Sequence, residues 1–407
     1  MKKNIFTLLV CLMVSCFGFA QNNVIDNELQ TILNQKSNDY IDVNIMLKAQ
    51  MTSDDFAVLN CKSDSKEVRR EIVTNELKKF AKESQSEIMS VLQAEERSNK
   101  VTDIQNFWIA NFINCKAKAD VIYQLASHPD VATISYNSVM EVVSDTEETN
   151  SSNTRAITAT IGEHLTRIKA EKAWELGYTG KGVIVAVLDS GVNTEHADLK
   201  DHLWNGNPQH GYNVVNPGQN PYDDRSHGTH CAGIVCGDGT SGVMTGVAPD
   251  AQLMSIKLYS DGSGLTVPRL VTGVQFAIDN GAHILNISQG WLGATDANRN
   301  TLRTTFANLL AQNIVTVVAA GNDRGSIAEY PVPGNIRTPG DCPPPWLHPD
   351  QTTKGGVSSV VSVGAVTYNE FNVPSIAAIS SQGPVEWYDY PYEDGAQMGL
   401  IRPDISA

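Results

Sequence analysis

The stretch VIVAVLDSG, from Val183 to Gly191, decides how this chain folds. Its first six residues are an unbroken apolar run rich in β-branched side chains, which is typical of a strand buried on both faces of a parallel sheet. Asp189 stands at the carboxyl end of that strand, where open α/β sheets place their active sites. An aspartate before Ser190 and Gly191 is also a common turn former or helix cap, so this stretch alone leaves the role of Asp189 open.

A histidine follows in the stretch HGTHCAGIV, which begins at His227. Ser226 is a good N-cap, so we expect a helix with His227 in its first turn and small residues that pack closely on neighbouring backbone. The positive end of the helix dipole disfavours an imidazolium, which predicts a neutral ring near pH 7. A buried carboxylate can hold one nitrogen of such a ring and direct the other toward a nucleophile.

Two other interpretations of this histidine stay open. It can be a structural histidine whose ring is satisfied by hydrogen bonds. It can also bind a metal ion, because His227, His230 and Cys231 fall at helical spacing and Cys236 follows. The metal interpretation is the weaker one, since the sequence has no second cluster of ligands at zinc spacing.

A third motif, VTVVAAGN, runs from Val315 to Asn322 and predicts another buried strand. An amide at the end of that strand, on the same edge as Asp189, can donate a hydrogen bond to the oxyanion of a tetrahedral intermediate. Asparagine after glycine is also a common turn residue, so the motif gains its weight from following the other two in order.

In this order, the three motifs resemble those of the subtilisin family of serine endopeptidases, from about Ile161 to the last residue. The resemblance implies an α/β fold with a doubly wound, mostly parallel sheet and a polypeptide substrate. It also implies that Asp189 and His227 are the acid and base of a catalytic triad and that Asn322 donates to the oxyanion.

Two further stretches resemble the edges that hold substrate in this family. They are KLYSDGSG, from Lys257 to Gly264, and ILNISQG, from Ile284 to Gly290. The resemblance implies backbone contacts to substrate from Gly262, Ser288 and Gly290. Two such edges would hold an extended peptide as an added β-strand.

The family's nucleophile lies in a Gly-Thr-Ser-Met-Ala-x-Pro segment, and these 407 residues contain none. Ser241 ends a Gly-Thr-Ser sequence, but it lies only fourteen residues past His227 and Gly-Val-Met follows it, so we do not assign it as the nucleophile. The final letters, IRPDISA, resemble a family phrase that precedes the serine. We therefore expect an endopeptidase sequence cut off before its serine, with a serine-less protein that binds peptides without cleaving them as the alternative.

The residues upstream predict an exported precursor. Residues 1–20 combine Lys2 and Lys3, an apolar run and Gly-Phe-Ala, which is typical of a secretory signal peptide cleaved after Ala20. The apolar run is too short for a membrane span, and a lipoprotein signal using Cys16 is the weaker alternative. We expect the protein to be secreted or held in the cell envelope.

Residues 21–145 predict a small α+β domain that resembles the inhibitor propeptide of the family, with a generic binding module as the alternative. The predicted strands are Tyr40–Leu47, Phe107–Ile113 and Val131–Tyr136, and the predicted helices lie in Ser65–Glu96 and Val121–Ala126. Residues 146–160 are polar and acidic, which predicts an exposed linker with the processing site. The propeptide is then expected to inhibit the catalytic domain of the same chain.

Residues 161–407 predict the catalytic domain, which is incomplete at its carboxyl end. Its further predicted strands and helices are Leu253–Leu258, Val267–Asn280, His283–Ser288, Asn298–Gln312, Ile314–Ala319 and Val360–Val366. The proline-rich stretch Pro331–Pro349 predicts an irregular excursion. It is either a wall of the specificity pocket or a surface loop remote from substrate.

Three departures from the family pattern bear on specificity and metal binding. Gln289 stands where relatives often carry an apolar residue in the pocket wall, which argues against a preference for large apolar side chains. Asp323 can attract a basic side chain, which predicts cleavage after Lys or Arg at least as well as after Phe. The alternative is that the Asp323 carboxylate faces solvent and does not contact substrate. The loop from Asp238 to Met244 lacks the asparagine-rich calcium sequence. Asp198 and Asp238 are candidate ligands of a structural calcium ion, with a role in caps and turns as the alternative for both acids, and no cofactor is required.

The net charge of −15, without basic clusters, disfavours nucleic acids and anionic membranes as partners. Five cysteines remain beyond the signal, an odd number that implies no disulfide framework. We expect Cys231 to pack on the histidine helix rather than act as a nucleophile, because His230 beside it points elsewhere.

Overall fold

The computed structural model describes residues 24–35, 38–60, 62–63, 65–140, 160–346, 357–369, 371, 373–393 and 397–407. The predicted signal peptide and all but the last residue of the predicted linker lie outside these residues.

The first part of the chain builds a four-stranded sheet in the order β2-β3-β1-β4. Its elements are α1 (Asn27–Gln35), β1 (Ile41–Leu47), α2 (Ser53–Asn60), α3 (Lys66–Ser84), α4 (Ser86–Arg97), β2 (Val101–Phe107), β3 (Phe112–Ala117), α5 (Ala119–Ala126) and β4 (Val131–Tyr136). Apolar side chains of α1, α4 and α5 pack on this sheet as a core of their own. The predicted small α+β domain is confirmed, and we call it the N-terminal domain.

The predicted strand Phe107–Ile113 is wrong, because this stretch is a hairpin turn with a strand on either side. β2 ends at Phe107, β3 begins at Phe112, and the two phenylalanines face each other in register with their rings stacked at 4.3 Å. Ile109 and Ala110 in the turn are fully buried, so the turn carries the apolar residues that the sequence pattern took for a strand.

The helical region predicted from Ser65 to Glu96 is two helices that meet at Gln85. The buried amide of Gln85 donates to the carbonyl of Phe107 at 2.9 Å and to Oδ1 of Asn111 at 3.0 Å. These bonds tie the helix junction to the β2–β3 turn, a tertiary contact that helical periodicity does not reveal.

The second part is built around a seven-stranded parallel sheet. Its elements are β5 (Thr160–Ile161), α6 (Glu163–Arg167), α7 (Ala170–Glu175), β6 (Ile184–Asp189), β7 (Gly211–Asn213), α8 (His227–Cys236), β8 (Val243–Met244), β9 (Gln252–Lys257), α9 (Val267–Asp279), β10 (Ile284–Ile287), α10 (Asp296–Ala311), β11 (Val315–Ala319), β12 (Val360–Gly364), β13 (Val366–Tyr368), β14 (Pro374–Ile376), β15 (Tyr392–Glu393), β16 (Gln397–Met398) and β17 (Ile405–Ser406), with short 3₁₀ turns at Lys200–His202 and Arg324–Ser326. The strand order is β17-β12-β11-β10-β6-β9-β7, and every pair in it is parallel.

Helices cover both faces of this sheet, which confirms the predicted doubly wound α/β class. α9 and α10 pack on one face in a core that also takes in Phe107 and Phe112 of the N-terminal domain, and α8 packs on the other face. Among the described helices, none is both long and apolar enough to cross a membrane.

Because β9, β6, β10 and β11 are parallel neighbours in the sheet, their carboxyl ends lie side by side along one edge.

Candidate active site

Asp189 is the last residue of β6, in the middle of the sheet edge. The residue is fully buried. Across the sheet it pairs with Lys257, the last residue of β9, and β10 lies on the other side of β6. Oδ1 of Asp189 accepts hydrogen bonds from the backbone N–H of Ser190 at 2.7 Å, from Tyr259 at 2.8 Å and from His227.

His227 is the first residue of α8, and its Nδ1 lies 2.7 Å from Oδ1 of Asp189. This hydrogen bond raises the pKa of His227 above its ordinary value of 6.5, against the effect of burial. The predicted neutral ring is therefore wrong in direction, because a bond to a carboxylate outweighs the helix dipole. In the described part of the chain, the ring's partners Asp189, Cys231 and Gln289 all lie at Nδ1, which leaves Nε2 for an incoming group.

The N-terminus of α8 is capped differently from the prediction. Ser226 has a left-handed backbone with φ of 65° and caps no N–H with its side chain. Instead the N–H of Gly228 donates to Oγ of Ser190 at 2.9 Å, and the N–H of Thr229 donates to Asp223 at 2.8 Å. Burial raises the pKa of Asp223, but hydrogen bonds from Thr229, Arg225 and Ser190 lower it by more. The pKa therefore lies below its ordinary value, and Asp223 is a charged cap.

Gly228 explains how α8 brings His227 to the strand end. A Cβ at this position would lie 2.1 Å from the carbonyl oxygen of Gly191 and 3.1 Å from Cβ of Asp189. Only glycine permits this approach of helix to strand, so the small residues after His227 serve the packing predicted for them.

Asn322 follows β11, two strands away from β6 at the same edge of the sheet. It is exposed, as a donor to a substrate oxygen has to be. The fold thus brings the three strand-end and helix-start residues Asp189, His227 and Asn322 to one side of the sheet.

The candidate substrate contacts lie on both sides of the strand that carries Asp189. Gly262 follows β9, and Ser288 and Gly290 follow β10. Trp291 pairs with Thr338 through two backbone hydrogen bonds of 2.8 and 2.9 Å, and a Cβ on Gly290 would lie 2.8 Å from Cβ of Arg337. The described part of the proline-rich stretch therefore borders the edge predicted to hold substrate and is not a remote loop.

The chain is similar in sequence to known proteins. A family model described as Peptidase S8, Subtilase family, matches residues 180–407. The chain belongs to the subtilase family.

Two relatives and one solved structure illustrate the similarity. Bacillopeptidase F of Bacillus subtilis is 27% identical over 83% of this chain and 23% of its own length. The minor extracellular protease Vpr of the same species is 31% identical over 51% of this chain and 26% of its own length. The crystal structure of fervidolysin from Fervidobacterium pennivorans, a keratinolytic enzyme related to subtilisin, shares the fold with a TM-score of 0.53 at 18% identity, over 86% of this chain and 47% of that one. The chain thus spans about a quarter of the two relatives and about half of the solved structure.

Cys231 of this subtilase lies beside the histidine, as its helical spacing from His227 predicted. Its Sγ is 3.9 Å from Nδ1 of His227, the nitrogen that also meets Asp189. The thiol is on the carboxylate side of the ring and not at Nε2, so it is not placed as a nucleophile. Asp189, His227 and Cys231 have ligand-type atoms within 4.8 Å of one another, but the 2.7 Å hydrogen bond joins two of those atoms, as expected of a catalytic pair rather than a metal site.

Tyr259 is a site residue that sequence reasoning missed, and Gln289, expected in the wall of the specificity pocket, contacts Tyr259 instead. The hydroxyl of the fully buried Tyr259 donates to Asp189, and Nε2 of Gln289 donates to that hydroxyl at 2.7 Å and lies 3.3 Å from Nδ1 of His227. The signal was the glutamine at an apolar family position. Because its amide is buried and bonded within the chain, Gln289 carries no information about substrate preference.

Asp323 is not available to a basic substrate side chain. Its carboxylate is buried and forms a two-point ion pair with Arg337, at 2.6 and 2.7 Å. The predicted cleavage after Lys or Arg therefore loses its basis, since the charge of Asp323 is already neutralised inside the protein.

Asp198 and Asp238, the calcium candidates, are bonded within the chain. Asp198 accepts from the backbone and hydroxyl of Ser241, and Asp238 accepts from the N–H of Thr240 at 2.8 Å and lies 3.1 Å from Nε2 of His202. A calcium ion would have to displace these bonds, so this arrangement is not a ready site. Calcium binding stays a prediction.

Proposed function

We propose that this subtilase chain is part of an exported serine endopeptidase precursor that hydrolyses peptide bonds in proteins. The observation that carries the proposal is the 2.7 Å bond between fully buried Asp189 and Nδ1 of His227, on a ring whose Nε2 has no partner among the residues that the structure describes. Export is supported by residues 1–20 and by a relative described as extracellular.

In the proposed reaction a serine hydroxyl attacks the peptide carbonyl, and Nε2 of His227 takes its proton. The imidazolium then gives that proton to the leaving amine as the peptide bond breaks, and a water molecule, deprotonated by the same nitrogen, hydrolyses the acyl-serine and regenerates the hydroxyl. None of the described side chains supplies that hydroxyl. Asp189 holds Nδ1 and stabilises the imidazolium, while Asn322 donates to the oxyanion. The substrate lies as an extended strand between Gly262 and the Ser288–Gly290 edge, and the reaction uses no cofactor.

A fluorophosphonate probe applied to the natural full-length product tests the enzyme. We expect covalent labelling of a serine, because His227 activates the hydroxyl, and loss of labelling in the variant His227→Ala. His230→Ala is the matched control, since His230 is exposed on the same helix and should leave labelling intact. A folded wild-type protein that takes no label would instead support a peptide-binding protein without catalysis.

We further propose that the N-terminal domain inhibits the enzyme from within the same chain. After β4, Met140 pairs antiparallel with Leu265 through backbone bonds of 2.8 and 3.1 Å. A Cβ on Gly264 would lie 2.3 Å from the Met140 carbonyl oxygen, so the two backbones are in direct contact. The chain leaving the N-terminal domain thus occupies the edge that carries Gly262 and is proposed to bind substrate.

A second anchor of the N-terminal domain is a stripe of three residues on α3, spaced by four. Arg70 donates to the carbonyls of Ala282 at 3.0 Å and Gln312 at 3.3 Å, which follow the C-terminal ends of α9 and α10. Thr74 donates to the Gln312 side chain at 2.7 Å, and Lys78 pairs with Asp279 at 2.7 Å. Cations are favoured at helix C-termini, so the stripe fits these two helix ends.

This docking is tested by cutting the chain at a specific protease site placed in residues 146–159. We expect the N-terminal domain to elute together with the remainder of the chain in gel filtration. In the serine-bearing protein it should also inhibit peptide hydrolysis by that remainder. Replacing Arg70 and Thr74 by alanine should weaken the complex by at least about tenfold, since bonds to a charged group are lost. Lys79→Ala is the control, because Lys79 lies on α3 outside the stripe and is exposed. Equal dissociation of both variants would contradict the anchor.

A further inference from the structure

Asp189 shares one oxygen among its donors and leaves the other without any. Oδ1 receives His227, Tyr259 and the N–H of Ser190, whereas Oδ2 is buried without a hydrogen-bond partner among the described residues. The Tyr259 hydroxyl and the His227 ring therefore compete for the same lone-pair electrons of one carboxylate oxygen.

The direction of the tyrosine hydrogen bond follows from its second partner. Nε2 of Gln289 is a donor only, so the Tyr259 hydroxyl accepts from it at 2.7 Å and has its single proton left for Asp189. Such a chain of donors polarises each bond in turn. Burial raises the pKa of Tyr259 above its ordinary value of 10, so the hydroxyl stays protonated over the working pH range.

We propose that Tyr259 and Gln289 are positioning residues of the catalytic pair, which orient the Asp189 carboxylate and, by sharing Oδ1, weaken its hold on the proton of His227. The inference rests on the proposed function only for its meaning in catalysis. In chemical terms, each extra donor draws charge away from the bond to Nδ1, so the imidazolium is less stabilised and His227 returns to its neutral form more readily.

Within the described ranges, several charged or titratable groups lie on the elements around this pair. Asp223 accepts from Thr229 of the same helix and from Ser190 next to Asp189. On the same helix, the thiol of Cys231 lies 3.9 Å from Nδ1. Arg225 holds its guanidinium 5.8 Å from the centre of the Tyr259 ring, and Lys257 at the end of β9 donates to the carbonyl of Ser190 and pairs with Asp224. None of these groups changes when the Tyr259 hydroxyl is removed, so a shift of the His227 titration reports the shared oxygen.

The test is the NMR titration of the His227 imidazole in the chain itself, labelled with ¹⁵N and assigned with the variant His227→Gln. We expect Tyr259→Phe to move the midpoint to higher pH by about one unit, the effect of losing one bond to a charged group. Gln289→Leu should move it in the same direction by less. Tyr212→Phe is the control, because that ring stacks on Phe276 at 4.7 Å in the same domain, and it should cause no shift.

An unchanged or lowered midpoint in folded Tyr259→Phe would overturn the proposal. If that variant fails to fold, Gln289→Leu decides, and an unchanged midpoint there has the same meaning. The titration needs no nucleophile, so it separates this inference from the proposed function. A shift together with absent fluorophosphonate labelling would support the network and reject the protease.

Discussion

Replacement of Asp189 by asparagine is expected to lower kcat/KM for peptide hydrolysis by about 10⁴-fold in the serine-bearing protein. The substitution keeps the size of the side chain but removes the charge that stabilises the imidazolium. The amide can also turn its NH₂ toward Nδ1 of His227, which forces the ring into the tautomer that cannot accept the serine proton. The measurement is kcat/KM on an unstructured peptide substrate.

The matched control for this prediction is Asp201→Asn. Asp201 is exposed in the 3₁₀ turn Lys200–His202, so the same chemical change should leave hydrolysis unaltered. A loss below tenfold in Asp189→Asn would mean that the 2.7 Å bond does not serve catalysis.

The sheet and the ends of its strands could be predicted because burial on both faces leaves a distinctive mark. Continuous β-branched runs identify β6 and β11, and parallel strands necessarily bring their carboxyl ends to one edge. Asp189 and Asn322 follow from this rule, and the motif order adds His227.

Local rules failed where tertiary contacts outweigh them. Ser226 has the right chemistry for an N-cap, but two other residues accept from the first N–H groups of α8. They are Asp223, in the loop before the helix, and Ser190, which follows β6. The helix dipole is worth less than about 1 kcal/mol at an exposed end, so one bond to a buried carboxylate reverses its effect on His227. In the β2–β3 turn, Ile109 is buried by residues of other elements. Local periodicity does not reveal such burial, so the apolar turn was taken for a strand.

The partnership of Tyr259 and Gln289 could not be predicted from the chain at all. The two residues are 30 positions apart and follow different strands. They meet at Asp189 only because the sheet order places β6 between β9 and β10. A glutamine at an apolar family position was a signal that something polar lay behind it, but its partner appears only when the order of the strands is known.

Hydrolysis by the serine-bearing protein is expected to rise with pH through neutrality, because His227 acts as a base only after it loses its proton. The hydrogen bond to Asp189 raises the pKa of His227 above 6.5. If that pKa lies above 8, kcat/KM should increase by about a hundredfold between pH 6 and 8, one factor of ten per unit. In Asp189→Asn the remaining activity should reach half its maximum near the ordinary histidine pKa.

The same shift has the opposite consequence for stability. A pKa that is raised on folding contributes stability that is fully present below the unfolded value of 6.5 and is lost as the pH rises through the folded value. Urea unfolding of the chain should therefore show this contribution declining across the pH range in which hydrolysis increases, and the decline should be absent in Asp189→Asn. A half-maximal kcat/KM at or below pH 6.5 in the wild type would contradict both expectations, since it would mean that Asp189 does not stabilise the charged ring.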